Sequence, residues 1–169
     1  IFYTNNTFYQ NKFTPFRFNN QMPKVFITNN LFYQNGQKEY KDIYPSGFSN
    51  TNGEFVFKNN FFEYDPEKDK NLSYLGATYS NNLVASNPYF GDTLTLALDP
   101  SSSLINAGTN TFGTNGSSTV TSKDIYGNNR PTPAGTNADI GAVESQYGFP
   151  APYLTSLDGG DKSVTVKWR

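Results

Sequence analysis

The chain has 169 residues, enough for one ordinary domain with a sizeable core, and its 13 basic and 14 acidic residues nearly cancel, so the footprint of a nucleic-acid binder is missing. Cysteine and histidine are both absent, which excludes disulfides, thiolate metal sites, cysteine nucleophiles, Ser–His triads and the commonest metal ligand. No apolar run approaches the roughly 18 residues of a membrane helix, so no membrane span is expected, while 22 Asn and 17% aromatic residues suit an extracellular bacterial β protein.

One phrase recurs along residues 1–90. Ile1-Phe2-Tyr3-Thr4-Asn5-Asn6-Thr7-Phe8-Tyr9-Gln10-Asn11 returns as Val25 to Asn35, as Phe55 to Asp65 and, more weakly, as Ala77 to Asn87. The Asn pairs begin at positions 5, 29, 59 and 81, hence 24, 30 and 22 residues apart, within the period range of stacked repeats. Each copy opens with a β-branched and aromatic run, a strand signal. The Asn pair then suits a sharp bend, because Asn tolerates the left-handed backbone region, and a second apolar run follows.

One such unit cannot bury its own apolar face, so the copies are expected to stack about 4.8 Å apart with equivalent side chains in columns. Alternation predicts that at most one of the columns Thr7-Leu31-Phe61-Leu83 and Phe8-Phe32-Phe62-Val84 faces inward. Asn5, Asn29, Asn59 and Asn81 are expected to form an amide ladder at the corner. The competing fold is an antiparallel meander, but Asn-Gly, its turn signature, never falls inside the Asn pairs. The opening Ile1-Phe2-Tyr3 lies inside a repeat and carries no signal-peptide pattern, so the chain is expected to be an internal piece of a longer protein.

Residues 36–54 are polar and turn-rich and read as a loop, while Phe16-Arg17-Phe18-Asn19-Asn20 reads as an extra strand of the first copy. The charged loop Asp65-Pro66-Glu67-Lys68-Asp69-Lys70 invites a calcium reading. The glycine and closing glutamate of a calcium loop are missing, however, and its lysines neutralise its acids. No other cofactor is evident.

From Asn87 the texture changes. Asn87-Pro88-Tyr89-Phe90, Asp92-Thr93-Leu94-Thr95-Leu96, Ser103-Leu104-Ile105-Asn106-Ala107-Gly108, Asp124-Ile125-Tyr126-Gly127-Asn128-Asn129-Arg130-Pro131 and Ala138-Asp139-Ile140-Gly141-Ala142-Val143-Glu144 follow in order. Together they resemble the closing segment of bacterial right-handed parallel β-helix proteins of the pectate-lyase-like fold. Ser103 departs from the Ser-Pro usual there. The resemblance implies an all-β fold in which residues 1–149 are C-terminal rungs and a cap, a lid over the open end of the stack. Asp124, Arg130, Asp139 and Glu144 then either tie down that cap or form a carboxylate pair with an arginine. Gly127 and Gly141 are assigned to turn geometry or close backbone approach. After a proline-bearing linker, Tyr153 to Trp168 resembles the first two strands of a fibronectin type III-like domain, so 150–169 is a linker and a truncated domain start.

Fold does not decide function. The first expectation is a secreted or cell-surface structural or adhesive module, associated with polysaccharide and continuous with upstream rungs and downstream domains of its own chain. The alternative is part of a polysaccharide lyase or other polysaccharide-degrading enzyme whose active site lies mainly in upstream rungs, with Lys12, Arg17, Lys24, Lys58 and Tyr79 as the cations or bases that the present rungs would offer a lyase. A glycosidase would draw on Glu54, Glu63 and Asp65. Sugar binding without cleavage would use exposed rings at Tyr3, Tyr9, Tyr33 and Tyr64. No residue is singled out as catalytic, cofactor-binding or metal-binding.

Overall fold

The computed structural model describes residues 1–17, 24–36, 42–44, 54–68, 76–146, 154–160 and 163–168. The chain is all-β, and among the described residues helix is confined to short 3-10 turns such as Pro66–Lys68 and Thr114–Gly116. The repeats supply β1 (Phe2–Thr4), β2 (Thr7–Tyr9), β3 (Phe16–Arg17), β4 (Lys24–Thr28), β5 (Leu31–Tyr33), β6 (Ile43–Tyr44), β7 (Glu54–Lys58), β8 (Phe61–Phe62), β9 (Thr78–Ser80) and β10 (Leu83–Val84).

Every pairing among these strands is parallel. One sheet runs β1-β4-β7-β9, a second runs β2-β5-β8-β10, and β3 pairs with β6. Successive copies therefore add to the same sheets in chain order, and the antiparallel meander is excluded for this region. The register is the one the aligned copies demand, with Phe2 opposite Phe26, Phe26 opposite Val56 and Phe32 opposite Phe62. Both four-stranded sheets are open among the described residues. One sequence reading changes here: residues 36–54 contain a strand, β6, as well as loop. Phe16–Arg17 is an extra strand of the first copy, as expected, and it pairs parallel with β6 of the second; residues 18–20, 37–41 and 45–53 lie outside the described residues.

Phe16, Val25, Ile27, Phe32, Ile43, Phe55, Phe57 and Phe62 meet in one core drawn from all three sheets. Within it Phe8, Phe32 and Phe62 form a column of stacked rings, with centroids 5.0 and 4.8 Å apart. Phe57 and Tyr79 stack likewise at 5.1 Å. The spacing is set by the strand separation, so each ring is held in an offset stack worth about 1 kcal/mol beyond its burial.

Alternation does not leave the other column in water. Leu31 and Phe61 are as buried as Phe32 and Phe62, but they belong to a second core with Leu98, Leu104, Ile105 and Ile140. These partners come from the segment after Asn87, so that segment covers the outer face of the β2-β5-β8-β10 sheet. The expected lid over the end of the stack is thus a strap along its flank. Its own elements are small: β11 (Phe90–Asp92) pairs antiparallel with β12 (Ala97–Leu98), and β13 (Thr111–Phe112) with β14 (Ser118–Thr119). Adjacent apolar residues in β5 and β8 are the physical reason, because both faces of those strands must be dry. Beyond the strap, β15 (Leu154–Gly160) and β16 (Ser163–Trp168) pair antiparallel, with Gly159 and Gly160 inside the ladder opposite Val164 and Ser163.

Candidate functional site

The corner between the two large sheets is where the repeats and the strap meet. The first Asn of each pair, at 5, 29, 59 and 81, has φ between 52° and 57°, the left-handed conformation that Asn accepts more readily than other side chains. That twist divides the work of the pair. The ladder is carried by the second Asn: Asn6 Nδ2 donates to Asn30 Oδ1 (2.9 Å), Asn30 Nδ2 to Asn60 Oδ1 (3.1 Å) and Asn60 Nδ2 to Asn82 Oδ1 (3.0 Å). The expected ladder of first Asn residues is reduced to one long contact, Asn29 Nδ2 to Asn5 Oδ1 at 3.4 Å. The left-handed residue turns its side chain outward, and there it holds the strap.

Asn59 Nδ2 donates to Ala107 O, Asn29 Nδ2 to Thr109 O and Asn5 Nδ2 to Asp139 O, at 2.9, 2.7 and 3.1 Å. The strap therefore descends from the third copy to the first. Thr109 N returns a bond to Asn29 Oδ1, and Gly141 N donates to Asn29 O. Gly141 has φ 113°, and a Cβ there would lie 2.9 Å from Thr7 Oγ1, so it meets both roles proposed for it; Gly127 has open space around it and serves its turn (φ 82°). Gly108 escapes the sequence reading: a Cβ on it would lie 2.5 Å from Ala138 O and 2.9 Å from Asn29 Oδ1.

A second, shorter ladder sits at the far end of β2 and β5. Gln10 and Gln34 take the left-handed conformation, and Asn11 Nδ2 donates to Asn35 Oδ1 at 2.8 Å. Two aligned Gln-Asn pairs were the available signal for it.

Within the strap, Asp124, Arg130, Asp139 and Glu144 are brought together in a buried cluster. Arg130 Nε donates to Glu144 Oε2 at 2.9 Å and Arg130 Nη2 to Gly141 O at 3.1 Å. Glu144 also accepts from Thr132 N and Asp139 N. Asp139 accepts from Asn106 N and Ser145 N, and Asp124 from Tyr126 N, Asn128 N and Glu144 N. Backbone groups thus take most of these carboxylate lone pairs. Burial pushes the Asp139 carboxyl up to about 7, aided by the nearby Glu144 charge and opposed by the Asn106 and Ser145 N–H groups. Burial likewise raises Glu144 against the pull of Asp139 N and Arg130. Burial works the same way on Asp124, but its hydrogen bonds from Glu144, Asn128 and Tyr126 outweigh it and hold the group below the ordinary carboxylate range.

The remaining candidates are dispersed. Lys24 and Glu54 sit opposite each other in register and pair at 3.0 Å, with Thr114 Oγ1 donating to Glu54 at 2.7 Å. Lys58 lies half-buried between Thr28 and Ser80 in register, Arg17 lies on β3, and Lys12 sits 5.6 Å over the Phe13 ring. Glu63 accepts from Gln34 N, and Asp65 is taken by Glu67 N and by Lys68 at 3.0 Å. Asp69 and Lys70 of the calcium reading lie outside the described residues. Of the tyrosines, Tyr3 packs edge-on against Phe16, Tyr9 and Tyr33 stack on each other at 5.7 Å, and Tyr64 is exposed. Each of the two stacked rings gives one face to the other, and both also meet the Phe90 ring, so the pair is engaged in packing.

Among the described residues no cluster of three or more acidic groups is arranged to hold a metal ion, and no helix is long and apolar enough to cross a membrane. No family model matches the chain, and neither does a curated protein or a solved structure.

Proposed function

We propose that the chain is a structural or adhesive module of a secreted or cell-surface bacterial protein. In this reading residues 1–149 are the C-terminal rungs of a right-handed parallel β-helix, similar in fold to pectate lyases, with the strap that covers their flank. Residues 150–169 are the linker and first strands of a fibronectin type III-like domain. The observation that carries the reading is the use made of the polar groups. Corner amides bond from copy to copy, and the charged residues of the strap are bonded chiefly to the strap's own backbone. Such groups stiffen a scaffold.

The test is incubation of the chain with a panel of acidic and neutral polysaccharides, followed by ultraviolet absorbance for unsaturated products and by affinity electrophoresis. No absorbance change is expected with any of them. A steady rise with one acidic polysaccharide would replace this reading with the lyase alternative. Retardation without a rise would place polysaccharide among the partners of an adhesive module.

A further inference from the structure

Beside its buried charge cluster the strap holds a cavity of about 390 Å³. Ligand sites run from roughly 300 to 1,000 Å³. Ala97, Leu98 and Val143 give this one apolar walls, Tyr126 an aromatic one, and Asn128 and Gln146 polar ones. Tyr126 is 56% exposed, whereas Tyr9 and Tyr33 are engaged in packing. It is nevertheless fixed at both ends: its N–H donates to Asp124 Oδ1 at 2.8 Å, and its phenol OH donates to Thr95 O at 3.1 Å. A ring held in this way loses little freedom when a ligand stacks on it.

The two carboxamides are fixed as well. Asn128 Nδ2 donates to Asp124 Oδ2 at 3.0 Å and Gln146 Nε2 to Glu144 O at 3.1 Å. Among the described residues no donor reaches Asn128 Oδ1 or Gln146 Oε1. Each amide therefore keeps its carbonyl oxygen and one N–H to offer, and a hydroxyl, both donor and acceptor, matches that pair. Charge narrows the ligand further. Glu144 is the charged side chain among the described lining residues, and Arg130 Nε, Thr132 N and Asp139 N already take its carboxylate. No cation lines the cavity among these residues, so an acidic group would enter it unpaired. The walls thus suit an uncharged molecule with one apolar face and a rim of hydroxyls.

We propose that this cavity binds a neutral pyranose sugar. The CH face of the sugar ring stacks on Tyr126, and its hydroxyls bond to the carboxamides of Asn128 and Gln146. The proposal rests on the adhesive reading and gives it a ligand class and a place, on the strap and apart from the tyrosines of the repeats.

Amide NMR of the isotopically labelled whole chain, titrated with short neutral oligosaccharides of glucose, galactose, mannose and xylose, tests this. At least one of them is expected to shift the side-chain amides of Asn128 and Gln146 and the backbone amide of Tyr126. Oligogalacturonate, an acidic probe at the same concentration, should leave those signals in place. Tyr126→Ala is expected to raise the Kd by at least about tenfold, about 1.4 kcal/mol. Tyr64→Ala, which removes an exposed tyrosine of the repeats, should leave the Kd unchanged. If Tyr126→Ala disturbs the fold, Gln146→Ala reads the same cavity from an exposed position and should raise the Kd about threefold or more. No shift with any neutral sugar, shifts confined to other residues, or an equal response to oligogalacturonate overturns the proposal. Unsaturated products from an acidic polysaccharide would overturn the adhesive reading without moving these signals, so the two fail separately.

Discussion

Arg130 Nε stands 2.9 Å from Glu144 Oε2 with both side chains closed from solvent. Removing one member of such a pair strands the other as a buried charge, which costs about 3–5 kcal/mol. Arg130→Ala is therefore expected to lose that much in chemical denaturation. The double variant with Glu144→Ala should recover only part of it, because Thr132 N and Asp139 N then lose their acceptor. Full recovery in the double variant would show that the carboxylate does not hold those two amides.

Asp139 predicts an unusual pH dependence. Its folded pKa, about 7, lies above the ordinary value of 3.8, so the folded chain binds the proton more tightly than the unfolded one. The resulting stability is complete below about pH 4 and is lost as pH rises to about 7, each unit of separation being worth about 1.4 kcal/mol. Glu144, raised by burial, acts in the same direction. Asp124 acts oppositely: its depressed pKa gives stability above its unfolded value that is lost as acid protonates it. The denaturation midpoint should accordingly be lower at pH 7.5 than at pH 5, and Asp139→Asn should flatten the difference. A midpoint that rises across this interval would contradict the raised pKa.

The parallel register was legible in the sequence because each copy repeats the same residue types at the same offsets from its Asn pair, and stacking such copies admits one alignment. Which Asn forms the ladder was not, since the two are chemically identical until the backbone turns left-handed at the first. The flank position of the strap had a signal that alternation obscured. Leu31-Phe32 and Phe61-Phe62 are consecutive apolar residues, and a strand dry on both faces needs cover on both. The charged cluster was legible as a group, but its bonds to backbone depend on turns that composition does not specify.

Gly108 predicts a local effect. A Cβ at 2.5 Å from Ala138 O cannot be relieved by rotating a side chain, because the obstacle is backbone. Gly108→Ala should part the strap from Asn29, weakening Thr109 N to Asn29 Oδ1 and Gly108 N to Ala138 O. Amide hydrogen exchange at Thr109 and Gly108 is expected to accelerate by at least about tenfold while exchange in β4 and β7 stays slow, as expected when opening is local. Equal acceleration in both regions would mean that strap and stack open as one unit.

The two residues of one corner should respond differently to substitution. Asn30 Oδ1 receives Asn6 N and Nδ2, and Asn30 Nδ2 reaches Tyr3 O, Thr28 O and Asn60 Oδ1. Asn30→Ala leaves several of these groups without a partner in a buried corner, at about 1–3 kcal/mol for each that water cannot reach. Asn29, with φ 57°, faces the strap, and glycine accepts its backbone conformation without strain. Asn29→Gly is thus expected to cost less than Asn30→Ala in global denaturation, yet to speed exchange at Thr109, whose N–H loses Asn29 Oδ1. The reverse ranking would return the ladder to the first Asn of each pair, and comparing the two variants under one denaturant series decides between them.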